Sequence, residues 1–249
     1  MGRRINSLGL YLFSFICLNS SSLGAQELSF KNTLSGDVAL LNKYVWRGIL
    51  LTDGPVLQPA VTFSTGHIKF NTWANVDLDQ ANGQASDINE LDYTLDYTFS
   101  FSSHSLCLGS ITYTFPNTKF DATTEVFLQF ATEAALSPTL TVYRDLDEAD
   151  GTYLSFGAGY EFPLKAWNTD LEISAAFGWG SANHNRFYYG VAGGAVTDLS
   201  LTASLPLSFS NSFSLTPAVG YAGLLSGRLR KATASPDHFI ASLKFSAFF

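Results

Sequence analysis

Glu90-Leu-Asp-Tyr-Thr-Leu-Asp-Tyr-Thr-Phe-Ser-Phe101 alternates without a break. Leu91, Tyr93, Leu95, Tyr97, Phe99 and Phe101 take the odd positions, while Glu90, Asp92, Thr94, Asp96, Thr98 and Ser100 take the even ones. Period two puts the first set on one face of a β-strand and the second on the other. The same alternation lies on both sides of it. Ile68, Phe70, Thr72, Ala74, Val76 and Leu78 alternate with His67, Lys69, Asn71, Trp73, Asn75 and Asp77; Leu199, Leu201, Ala203, Leu205, Leu207 and Phe209 form another apolar face.

Twelve such runs are predicted: 36–47, 56–64, 67–78, 88–101, 105–115, 123–133, 138–146, 152–162, 170–180, 195–208, 212–222 and 238–249. Short connections such as Thr65-Gly66, Ser102-Ser-His104 and Ser210-Asn211 alternate with longer polar ones at 79–87, 181–194 and 223–237. This is the layout of an all-β, closed antiparallel transmembrane barrel, with short periplasmic turns and long outer loops. Ten or fourteen strands fit the same pattern if weak runs are split or merged. Run five changes its apolar face between Leu106, Leu108 and Ile111, Tyr113, Phe115, which predicts a bulge. Pro59, Pro206 and Pro217 each predict a bulge or a strand end, because a closed barrel has no free edge for a residue without an N–H. Tyr44, Trp46, Tyr143, Trp179 and Tyr221 at one rim, with Phe101, Phe130, Phe162 and Phe213 at the other, are expected as aromatic girdles.

Composition agrees with a chain not built for water on every side. Only 14% of the 249 residues are charged, where a soluble domain carries about 25%, and 14% are aromatic. The formal charge of -7 argues against a nucleic-acid partner. Arg3 and Arg4 precede the apolar run Leu8–Leu18 and the small-residue stretch ending at Ala25. Residues 1–25 are therefore expected to be a cleaved export signal, leaving 26–249 as one barrel domain in the outer membrane. At the other end Phe239, Ala241, Leu243, Phe245, Ala247 and Phe249 form one apolar face ending in an aromatic. Leu243, Phe245 and Phe249 resemble the assembly signal that barrel-assembly machinery reads in outer-membrane proteins. Outer-membrane lipid and lipopolysaccharide are the other expected partners.

Ser35-Gly-Asp-Val-Ala-Leu-Leu-Asn-Lys-Tyr-Val-Trp-Arg-Gly48, followed by Thr52-Asp-Gly-Pro-Val-Leu-Gln-Pro59, resembles the start of the Gcw_chp family of proteobacterial conserved hypothetical proteins. Tyr-Val-Trp-Arg-Gly is its most telling part, and Leu50 and Leu51 depart from the more polar residues expected there. The resemblance implies an outer-membrane barrel and supplies no activity or functional residues.

With the apolar face on lipid, the polar face lines the interior. That places Lys43, Arg47, Lys69 and Lys244 inward with Asp77, Glu90, Asp92 and Asp96, and also Glu125, Glu133, Glu161 and Glu172. Eight acids against four bases make a negative lumen, which favours cations. Lys69 is expected roughly opposite Asp96, and Arg47 is placed to neutralise Glu90 and Asp92. The leading expectation is a narrow, porin-like passive channel for small solutes or ions. The alternative is a non-conducting structural or adhesive barrel acting through its outer loops. An outer-membrane hydrolase is disfavoured because none of His67, His104, His184 and His238 is followed two residues later by Ser. No catalytic residue, cofactor or metal site is assigned, since Asp145-Leu-Asp-Glu-Ala-Asp150 lacks the terminal Glu of a calcium loop. Arg228, Arg230 and Lys231 are candidates for anion contacts, and Phe187, Tyr188 and Tyr189 for stacking on sugars.

Overall fold

The computed structural model describes residues 32–83 and 85–249, so the expected export signal lies outside the described residues. Twelve strands close into an antiparallel barrel. They are β1 Asn32–Leu41, β2 Val56–Thr65, β3 Ile68–Asp77, β4 Ile88–Phe101, β5 His104–Thr114 and β6 Thr123–Thr132, then β7 Thr139–Asp145, β8 Thr152–Leu164, β9 Thr169–Gly180, β10 Ala195–Ser204, β11 Phe213–Leu224 and β12 Asp237–Phe248. Each strand pairs with its sequence neighbours, and β1 pairs with β12 to close the ring, from Ser35↔Phe248 to Leu41↔Ser242. One end carries the short turns and both described termini. The other carries the long loops, two of which hold helices, α1 Ala182–Tyr189 and α2 Gly227–Ala232.

The outer surface is apolar by alternation. In β4, Leu95, Tyr97 and Phe99 are 53%, 48% and 55% exposed, whereas Glu90, Thr94 and Asp96 are buried. The register puts Lys69 opposite Asp96, and their side chains meet at 3.3 Å.

Several local expectations change. The first run is not one strand. β1 ends at Leu41, where Asn42 grips β12 through its side chain, donating to the Phe239 carbonyl and accepting from the Ala241 N–H. The chain then turns inward as a separate hairpin, Tyr44–Trp46 with Ile49–Thr52. β5 has no bulge, because its register with β4 and β6 is continuous. Its inward apolar residues Ile111 and Tyr113 are covered by material inside the barrel rather than by lipid. Pro59 sits in β2 without shifting the register, although pairing to β3 lapses between Leu57↔Val76 and Ala60↔Trp73. Pro206 and Pro217 fall at a single break, where β10 stops at Ser204 and pairing resumes at Leu207–Ser208. True register shifts lie elsewhere, at Asn75/Val76 against β4 and at Phe177/Trp179 against β10.

Candidate functional site

Two loops fold into the mouth at the long-loop end. The hairpin of the first loop turns on Arg47 and Gly48, both at positive φ (47° and 79°), as a two-residue type I′ connection requires. Glycine is needed at the second position: a Cβ on Gly48 would lie 2.7 Å from Leu224 Cδ2 and 2.9 Å from Asp198 Cβ. The hairpin base packs in an apolar cluster of Leu41, Tyr44, Val45, Val56, Ala222 and Ile240. Its tip reaches the opposite wall.

There Arg47, only 3% exposed, forms a two-bond fork with Glu125 of β6, Nη1 to Oε1 and Nη2 to Oε2, both 2.7 Å. The guanidinium carbon lies 4.3, 4.5 and 4.1 Å from the ring centroids of Trp46, Tyr143 and Tyr153. Tyr113 donates to Glu125 Oε2 at 2.9 Å, and Tyr153 donates to Asp198 Oδ1 at 3.0 Å. A guanidinium stacked on aromatic faces with both terminal nitrogens on one carboxylate is a pre-organised, desolvated ion pair. Burial disfavours the Arg47 charge, and Glu125 more than restores it, so the guanidinium stays protonated.

The α1 helix of the fifth loop packs on the hairpin from the side. Ser181 caps it, accepting from the His184 N–H, and Gly190 ends it in the left-handed conformation. Asn185, fully buried, donates to the carbonyls of Gly180 and Gly193 and so fixes the loop to the wall. Tyr188 packs on Trp46 at 5.0 Å and on His184 at 4.8 Å, and Tyr189 donates to the Arg47 carbonyl. Burial, assisted by the positive charge of Arg47, pushes the His184 pKa down to about 3. The imidazole is therefore neutral at neutral pH.

The sequence-predicted lining residues separate into groups. Asp77 is buried, accepting from Thr52, Asn75 and Asn82. Asp96 pairs with Lys69, and Lys244 approaches Asp37 at 3.9 Å. Glu90 lies against the Tyr44 hydroxyl and beside Asp92, whose Oδ1 is buried without a hydrogen bond among the described residues. Glu172 accepts from Ser204, and Glu161 is half-buried on β8. Two residues stand apart. Glu133 is exposed in the turn after β6, and Lys43 pairs with the exposed Asp53 outside the barrel strands. Arg47 meets Glu125, not Glu90 and Asp92, because the hairpin crosses the interior to β6 instead of running up the wall.

Sequence reasoning missed Tyr113, Tyr153, Asp198 and His184. Tyr44, Trp46 and Tyr143 were expected in the outer girdle and instead face inward, Tyr44 and Tyr143 being buried. A signal did exist for Tyr143: it shares parity with Thr141 and Asp145, both inward, while Leu140 and Val142 face out. The basic and aromatic loop residues are largely engaged internally. Arg228 donates to the carbonyls of Ala192 and Gly194, and Arg230 forms a fork with Asp237, leaving Phe187 as the exposed ring of its trio. In the acidic turn Asp145 accepts from the N–H groups of Asp147 and Ala149.

Comparison with known proteins fits this architecture. No curated protein matches the chain. Among solved structures, the KdgM porin superposes with a TM-score of 0.56 at 14% identity, covering 86% of this chain and 99% of that one. The NanC porin gives 0.56 at 8% identity, covering 85% and 98%. A second structure, of the KdgM porin in complex with disordered oligogalacturonate, gives 0.55 at 11% identity, covering 87% and 99%. At these identities the likeness is one of fold, that of outer-membrane porins. A family match spans residues 25–221, well over half of the chain, and on that ground the protein belongs to the Gcw_chp family, bacterial proteins of unknown function.

Proposed function

We propose that the chain is a narrow outer-membrane channel that passes small cations or neutral solutes in preference to anions. The charge arrangement of the interior carries this reading. Ion pairing occupies the interior bases: Arg47 with Glu125, Lys69 with Asp96, Lys244 beside Asp37. Asp77, Glu90, Asp92 and Asp198 form no ion pair among the described residues. Carboxylates on the inner wall that stay ionised concentrate counter-ions. An acidic oligosaccharide such as the KdgM porin's is therefore a poor candidate here.

A second reading has its own support. The hairpin and α1 bury across the mouth, which suits a closed barrel that works through its outer surface. In either case residues 1–25 are removed on export and the long loops meet lipopolysaccharide. The strand carrying Leu243, Phe245 and Phe249 is presented to the assembly machinery.

Single-channel recording of the refolded protein in a salt gradient tests the first reading. Discrete steps with a cation-leaning reversal potential are expected, weakened in a Glu90→Gln, Asp92→Asn variant. A folded barrel that gives no steps overturns it in favour of the closed barrel, and steps whose reversal potential is unmoved by that variant overturn the role of the inner-wall acids.

A further inference from the structure

The barrel wall at Glu125 is built like a receptor, and the group filling it belongs to a loop. Glu125 is 2% exposed, accepts from Tyr113 at 2.9 Å, and offers both oxygens along one edge at 2.7 Å. Tyr143 and Tyr153, also buried, flank that edge with their ring faces, and Tyr153 is itself held by Asp198. A carboxylate held by a tyrosine, between aromatic faces, recognises a flat cation that donates two parallel N–H bonds. Arg47 arrives on a hairpin whose base packs on Leu41 of β1, Val56 of β2, Trp73 of β3, Ala222 of β11 and Ile240 of β12. Its two terminal nitrogens make the pair; Nε, the attachment point of the side chain, has no hydrogen-bond partner among the described residues. The wall therefore reads the end of a singly substituted guanidinium and ignores its tether.

We propose that Glu125, Tyr113, Tyr143 and Tyr153 form a binding site for alkylguanidinium cations, with Arg47 as its built-in occupant. A tethered occupant acts at an effective concentration in the millimolar range. A free guanidinium compound at the mouth must compete with that, and success would release the hairpin. Ammonium ions fit less well, because a point charge cannot make the paired bonds. This proposal does not depend on whether the barrel conducts.

The test is chemical rescue. Arg47→Ala protein, purified in detergent, is titrated with methylguanidinium and with methylammonium while its thermal unfolding midpoint is read. Methylguanidinium at millimolar concentration should raise the midpoint, methylammonium should do so at least tenfold less efficiently, and an Arg47→Ala, Glu125→Gln double variant should not respond. Wild type, with the site filled, should shift less than Arg47→Ala. Equal responses to the two cations, or an undiminished response in the double variant, overturn the site. If Arg47→Ala does not refold alone, refolding yield becomes the readout. Recovery with methylguanidinium but not methylammonium supports the site, and recovery with neither overturns it.

Discussion

Tyr189 donates its hydroxyl proton to the carbonyl oxygen of Arg47, 3.0 Å away and 142 residues earlier in the chain. The bond ties the helix of the fifth loop to the turn of the first, so the two loops are linked within the mouth. Arg47 is a non-glycine residue at positive φ, a conformation that costs about 1–2 kcal/mol. Its neighbours hold it there.

Tyr189→Phe should therefore destabilise the protein by about 0.5–1.5 kcal/mol, the net worth of one such bond. Hydrogen exchange should speed up in 44–52 and 182–189 and stay unchanged in the strands. Uniform acceleration around the barrel would show that the two loops do not move as a unit.

Gly48→Ala should act more strongly. The new methyl group meets Leu224 and Asp198, and alanine at φ 79° adds backbone strain. We expect a loss of about 1–3 kcal/mol with the barrel still closed, seen in denaturant unfolding. If the channel reading holds, unitary conductance should rise as the hairpin tip leaves Glu125.

The barrel itself was open to reading because its signal is local. Glu90–Phe101 states its two faces residue by residue, and the pairing of Lys69 with Asp96 follows from one loop length. What the loops do is not local. Nothing near Arg47 in the chain points to Glu125, which lies 78 residues on, and an aromatic at a strand end reads equally as a lipid girdle or an interior contact. Parity separates Tyr143 from the girdle, whereas Tyr44 and Trp46 needed the fold, since the strand they seemed to extend stops at Leu41.

Acid should loosen the mouth before the wall. The His184 pKa, near 6.5 in the unfolded chain, is lowered to about 3 by burial and then by Arg47. Between those values the unfolded chain binds the extra proton, so stability is fully present above pH 6.5 and declines as pH falls toward 3. The slope from this one group is at most about 1.4 kcal/mol per pH unit. His184→Gln should flatten the decline between pH 6.5 and 4.5, measured by urea unfolding. An unchanged decline would assign the sensitivity elsewhere.

Deleting Phe249 should separate folding from delivery. The residue is 76% exposed, and its N–H donates to the Leu34 carbonyl. Refolding in detergent should be near normal, since one terminal hydrogen bond is worth about 1 kcal/mol. Outer-membrane levels in cells should drop if Leu243, Phe245 and Phe249 act as an assembly signal. Normal levels would remove that role.

The β1–β12 seam joins the first described strand to the last. A chain that closes on its own end can satisfy those two edges only after the final strand has been made. Until then every shorter intermediate presents two rows of unpaired N–H and C=O groups and an apolar outer face. Closure is thus deferred until β12 has been made, and a copy lacking β12 would be left as an open sheet with β1 and β11 free to pair with another molecule.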